Sequence, residues 1–189
     1  MLTIDNPFEI KSLKEVSLPR APLIRVIVQV RFPTIVSIED SKYIAQFQES
    51  LRTTYPVLKT EKRLVVNLLN PQDKREETIW RFFDSTEKWR ITLAPEFIAL
   101  ETWEYKSRDD FFGRFEKTVS DFSKTIQPTV FYRIGVRYID QVTGDEFKNI
   151  SNLVRAEVLG IYGTNLKSYI SSSLRQTIFS INEDFQLYA

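Results

Sequence analysis

The chain has neither a histidine nor a cysteine in 189 residues. Histidine is the one side chain whose unperturbed charge changes near neutral pH. Cysteine is the soft nucleophile and a usual ligand of zinc and iron–sulfur clusters. Their absence closes the commonest acid–base, thiol and zinc mechanisms, and removes the disulfide framework of a small secreted domain. What remains is carboxylate, lysine, tyrosine, hydroxyl and arginine chemistry, or binding without turnover. Glycine is also scarce, at five residues. Neither GxxxxGKS/T nor GxGxxG occurs, so the two main phosphate-cradling loops are missing. No charge of one sign dominates: 26 basic residues face 25 acidic ones, a net charge of +1. Bulk electrostatics therefore gives no case for nucleic acid or a membrane surface. No apolar run approaches the ~20 residues that span a bilayer, and the N-terminus lacks a basic-then-apolar leader pattern. The expectation is a cytoplasmic protein with no cofactor and no membrane partner.

Apolar residues make up 42% of the chain and charged residues 27%, with 14 Phe, 8 Tyr and 3 Trp. That is the composition of a folded globular protein with a large aromatic core. Residues 1–20 read as an extended lead-in, and 21–189 as one α+β domain. Val26, Val28, Val30 and Phe32 alternate with Arg25, Ile27, Gln29 and Arg31, the period of a strand. Asp40 or Ser41 caps a helix reaching about Thr54, with Ile44, Phe47, Leu51 and Tyr55 on one stripe. A strand is predicted over 63–69 and a solvated turn over 70–77. A hairpin follows, 78–83 with 88–93 around 84–87, then a strand from Phe97 to Tyr105. Ser107-Arg-Asp-Asp110 resembles a capping box, and the helix behind it carries Phe111, Phe115, Val119, Phe122 and Ile126. A long strand over 130–142, a short helix over 150–159 and a last strand over 176–182 complete the pattern. This is a curved antiparallel sheet with two main amphipathic helices on one face. A β-α-β-β unit occurring twice, imperfectly because of an extra strand, would give related halves 21–85 and 86–189, and no amino-acid self-similarity marks a duplication.

The sharpest local feature is Phe131-Tyr-Arg-Ile-Gly-Val-Arg-Tyr-Ile-Asp140. Arg133, Gly135 and Arg137 share one side, and Tyr132, Ile134, Val136 and Tyr138 the other. The two guanidiniums sit roughly 13 Å apart at ~3.3 Å per residue, and Gly135 leaves room for close approach. If this strand neighbours the first one, Arg25 and Arg31 join them in an Arg-lined groove suited to phosphate or carboxylate. The alternative is that these arginines pair with Glu96, Glu101, Glu104 or Asp140. Trp80 and Arg81 with Lys88 and Arg90 interleave aromatic and basic residues, as in an interface or a single-stranded nucleic-acid platform. Glu104-Tyr-Lys106 and Glu146-Phe-Lys148, with Asp84 or Asp140 upstream, have the spacing of an Mg²⁺-dependent nuclease core, a spacing common by chance. Asp109-Asp110 reads as a helix first turn rather than a chelate. Ser171 to Ser173 read as a solvated loop, having only Lys167 nearby as a base. No catalytic or metal-ligating residue is assigned.

Several of these segments fall in a familiar order. They are Ala21-Pro22 ahead of Val30-Arg-Phe32, then Phe47-Gln48, Leu51-Arg52 and Tyr55-Pro56. Trp89-Arg-Ile-Thr-Leu93 follows with Phe97-Ile-Ala-Leu-Glu-Thr102, then Tyr105-Lys-Ser107 with Asp110-Phe111, and Arg133-Ile-Gly-Val-Arg-Tyr-Ile139. Over roughly residues 20–145 the chain resembles a sporadically distributed family of uncharacterised prokaryotic conserved hypothetical proteins. It departs from that pattern at Asp140, where members usually have Asn, and members run longer. The resemblance implies a bacterial or archaeal cytosolic protein and carries over no catalytic residue. The leading expectation is a non-enzymatic module that binds a protein partner or itself as a homodimer. Behind it stand an anionic small molecule or nucleotide held by Arg25, Arg31, Arg133 and Arg137, then nucleic acid, then the nuclease.

Overall fold

The computed structural model describes residues 21–67, 70–171, 173, 176–180 and 186–188. The extended lead-in expected over 1–20 lies outside the described residues. The described residues divide into two compact units, Pro22–Gln141 and a second one from Val142 onward.

The first unit is an α+β fold. Strand β1 (Leu23–Arg31) leads to a 3-10 turn (Val36–Glu39), helix α1 (Ser41–Leu51), and strands β2 (Val57–Asn67) and β3 (Asn70–Phe83). Strands β4 (Trp89–Ala94) and β5 (Phe97–Thr102), helix α2 (Arg108–Thr125) and strand β6 (Arg133–Asp140) follow. The six strands form one curved, open sheet in the order β2-β3-β4-β5-β1-β6. Every neighbouring pair is antiparallel. The possible boundary at 85/86 between related halves falls in the β3–β4 turn, inside this sheet.

Alternation in β1 sets the faces. Val26, Val28 and Val30 are buried while the residues between them are half-buried or exposed. Their side of the sheet receives both helices. At α1 the Asp40 carboxylate accepts a hydrogen bond from the Lys42 amide at 2.8 Å, satisfying one otherwise orphaned donor. Ile44, Phe47 and Leu51 then face the core. At α2 the Ser107 hydroxyl accepts from the Asp110 amide at 3.2 Å. Asp109 and Asp110 lie in the first turn, where the macrodipole favours negative charge. The helix stops at Gln127, whose φ of 54° is left-handed, ahead of Pro128. Phe122 joins the layers. Its ring centroid lies 5.0 Å from Phe32 of the sheet and 5.7 Å from Phe47 of α1.

The predicted turn over 70–77 is a strand. β3 begins at Asn70 and pairs with β2 from Val57↔Phe83 to Val66↔Lys74, and again at Asn67↔Asn70 past a register shift. β2 likewise begins at Val57 rather than at 63. The part of this ribbon beyond Trp80 has no β4 beside it, because β3 meets β4 only over Trp80–Phe83. Its described side chains over 61–64 and 74–76 are exposed, so no apolar alternation marked it. Polar cross-strand pairs take that place: Arg63 with Glu77 at 2.5 Å and Lys62 with Thr78 at 2.8 Å.

The second unit carries short pieces: Gly144–Lys148, Ile150–Leu153 and Ala156–Leu159 are single helical turns. The helix expected over 150–159 is thus two turns broken at 154–155. Strand Ile178–Ser180 pairs with Gln186–Tyr188, and the predicted continuation to 182 lies outside the described residues. No helix among the described residues is long and apolar enough to cross a membrane.

Candidate functional site: the β6 edge and the helix-free sheet face

Strand β1 lies between β5 and β6, so its arginines have two different sets of neighbours. On the β6 side Arg31 stands opposite Arg133, Gln29 opposite Gly135, and Ile27 opposite Arg137. Opposed residues share a face. The structure therefore brings Arg25, Arg31, Arg133, Gly135 and Arg137 together on the helix-free side. On the other flank, β5 places Glu101 opposite Ile27 and Arg90 of β4 opposite Glu101.

These neighbours divide the arginines into two groups. Arg25 and Arg90 both bind the Glu101 carboxylate, whose side chain is only 4% exposed. The Trp103 ring stacks with both guanidiniums, at 5.0 Å from Arg25 and 5.1 Å from Arg90. Arg31 binds Glu96 at 2.7 Å, and Arg81 binds Glu61 at 2.6 Å. Ion pairing is the role of all four. Arg133 and Arg137 differ: among the described residues neither has an ion pair, a side-chain hydrogen bond or a ring beneath it. Gly135 lies between them, with open space where a Cβ would stand.

The aromatic–basic candidates disperse. Trp80 is buried in the core, and its indole Nε1 donates to the Ile38 carbonyl at 2.7 Å, so it offers no stacking face. Arg81 and Arg90 are held in the network just described. Lys88 belongs to the β3–β4 turn, where its amide donates to Asp84 at 2.8 Å and its carbonyl accepts from Trp103. No group of three or more Asp or Glu residues that could hold a metal occurs among the described residues. Lys148 pairs with Asp145 at 2.6 Å, and Asp110 with Arg114 at 3.1 Å. Glu104 lies just past the end of β5, outside any carboxylate cluster.

A cleft between α1 and α2 is lined by Ser50, Thr54, Tyr55, Arg114, Lys117 and Asp121. Its free volume of about 30 Å³ is water-sized. Burial raises the Tyr55 pKa, against the opposing pull of the adjacent Arg114. Burial would lower the Arg114 pKa, but its hydrogen bond to Asp110 prevails and raises it. Both groups are fixed in the charge state they hold at neutral pH.

Sequence periodicity grouped Ile134, Val136 and Tyr138 on the other side of β6 but gave no sign of their exposure. Ile134, Val136 and Tyr138 continue the apolar face of Val26, Val28 and Val30, their partners across the ladder. Yet they are 61%, 43% and 49% exposed. The ends of this stretch are held by ring contacts, Tyr138 with Tyr105 at 6.0 Å and Phe131 with Phe122 at 6.5 Å. Its middle is bare. The outer backbone edge of β6 pairs with no strand among the described residues. No protein-family model matches the chain, and no curated protein matches it.

Proposed function

We propose that this chain is a binding module that engages another protein by strand addition along the outer edge of β6. The observation that carries the reading is the combination on one eight-residue strand: exposed Ile134, Val136 and Tyr138, with an edge and two arginines that have no partner among the described residues. Natural sheets guard their edges with charge, short length or a covering element. The opposite edge is guarded so, since β2 presents Lys59, Glu61, Lys62 and Arg63, all exposed. On its helix side β6 carries three exposed apolar side chains in a row, where the same side of β2 carries Thr60, Lys62 and one exposed apolar residue, Leu64. Backbone pairing supplies the affinity in such a mode, and alternate side chains supply the specificity.

A second reading, an anionic small molecule between Arg133 and Arg137, draws on the open space at Gly135. It has weaker support, because those three residues lie on an exposed surface and small-molecule sites are concave.

The test is to select random extended peptides against the full chain and map their footprint by amide hydrogen exchange. Protection confined to 133–140, lost in Ile134→Lys, supports the reading. Selected peptides that protect another surface, or a library that yields no binder, would sink it.

A further inference from the structure

We infer that the segment received by β6 is a stretch of another protein in which acidic and apolar residues alternate. The inference rests on the edge-binding reading and adds the partner's chemistry. An added strand continues the pleat, so each of its residues faces one residue of β6 on the same side of the sheet. On the helix side it meets Ile134, Val136 and Tyr138, which favour apolar neighbours. On the other side it meets Arg133, Gly135 and Arg137.

Six arginines on the strands of the sheet, Arg25, Arg31, Arg63, Arg75, Arg81 and Arg90, have a carboxylate partner. Arg133 and Arg137 have none among the described residues. Arg133 moreover stands opposite Arg31, a like-charge pair that disfavours a further cation. Carboxylates from the partner would complete the pattern, since arginine binds them through paired donors. They are needed four residues apart, roughly 13 Å at ~3.3 Å per residue. The position between them faces Gly135, where open space admits a large ring over the missing side chain. The partner motif is then acidic, apolar, aromatic, apolar, acidic. It reads the same in both directions, so parallel and antiparallel docking make equal use of it.

Charge argues against a second copy of this chain on the same edge. Two-fold pairing centred on Gly135 would set Arg133 against Arg137. Centred on Arg137 it would set the two Arg137 side chains against each other. Centred on Val136 it would crowd four guanidiniums onto one face. Asp140 could relieve none of these, because its place in the alternation is on the Ile134 side.

The experiment measures fluorescence anisotropy of a labelled peptide with the core Glu-Val-Tyr-Val-Glu against the full chain, beside peptides with Gln or Lys at both Glu positions. The acidic peptide should bind. The Gln form should bind on the order of tenfold more weakly and the Lys form more weakly still. The double variant Arg133→Glu/Arg137→Glu should reverse that order, and both side chains are exposed, so the fold should survive; circular dichroism checks this. Affinity of the acidic peptide should fall with added salt. If all three peptides bind alike, or the double variant keeps the original order, the assigned chemistry is wrong while edge binding stands. If none binds and the chain sediments as a dimer that Val136→Lys dissociates, a second copy is the occupant and the inference is overturned. If none binds and the chain is a monomer, the inference is overturned, and the peptide selection decides whether edge binding stands.

Discussion

Asp84 organises the turn between β3 and β4 almost alone. Its carboxylate accepts hydrogen bonds from the Lys88 amide at 2.8 Å, the Trp89 amide at 3.0 Å and the Thr86 hydroxyl at 2.6 Å. These hold Glu87 in a left-handed conformation, φ 54°, which costs a non-glycine residue free energy. Partial burial would raise the Asp84 pKa, but the hydrogen bonds outweigh it and the pKa is lowered. A carboxylate with a depressed folded-state pKa adds stability that is present above its unfolded value, about 3.9. That stability is lost as pH falls through the lower folded value. Asp84→Asn should therefore cost about 1 kcal/mol at pH 7, a fall in Tm of roughly 2–4 °C. The gap between variant and parent should narrow in thermal melts repeated near pH 3; a gap that stays constant would mean the charge is irrelevant. The 84–87 turn was legible from its residues, and so was the strand alternation that put Arg25 and Arg31 on one side. Their role was not. Arg25 and Arg137 look equivalent in sequence, and only the ladder shows that β5 brings Glu101 to the first while the second stands on an edge. Trp80 misled for a related reason: period-2 spacing groups residues by face but does not say which face meets the helices.

At the scale of elements, the legible parts were those with one wet and one dry face. β1, α1 and α2 announce themselves by apolar residues at a strand or helix period, with Asp40 and Ser107 marking the helix starts. Beyond Glu77 the described side chains of the β2–β3 ribbon are not buried, so its sequence resembles a loop, and Pro71 strengthens that impression. Its ladder is held by backbone pairing and charged cross-strand contacts, each worth only about 0.2–1 kcal/mol. A two-stranded ribbon without a packed face is marginal. Amides of Leu64, Val65 and Lys74 to Glu76 should thus exchange with solvent much faster than those of Trp80 to Phe83, which have β4 beyond them. Hydrogen exchange read by mass spectrometry resolves these peptides; equal protection along β3 would show that something packs on the ribbon. β6 is the reverse case. Its sequence is that of a strand with one buried face, Ile134, Val136 and Tyr138 in register with the core of β1, yet all three are exposed. Sequence carries the pattern of burial a strand is built for, and its present neighbours need not supply it. That mismatch, invisible until the strand order was known, is what marks β6 as the candidate interface.

For the whole molecule, the missing imidazole and thiol make a demand on stability as well as on chemistry. Unperturbed carboxylates titrate near 4, and tyrosine and lysine near or above 10. With no histidine or cysteine, only a terminal amine has an ordinary pKa between those limits. The shifts resolved among the described residues all run away from that gap. Asp84 moves down from the carboxylate range, and Tyr55 and Arg114 move up from the phenol and guanidinium ranges. The slope of stability against pH is the difference in protons bound by the unfolded and folded states. Over roughly pH 6 to 8.5 neither state has side chains of ordinary pKa to titrate, so the slope should be close to zero. The midpoint of thermal unfolding, followed by dye fluorescence or circular dichroism at constant ionic strength, should vary by less than about 2 °C across that range, with or without reductant. Two folded-state shifts are felt outside it. Tyr55, raised, stabilises the fold at lower pH and loses that contribution as pH climbs above about 10, the unfolded phenol value. Asp84, lowered, loses its contribution below about 4. A clear step in Tm near pH 7 would show a carboxylate or lysine displaced by several units, the condition a catalytic acid or base requires, and would turn the search from the β6 edge towards an enzyme site.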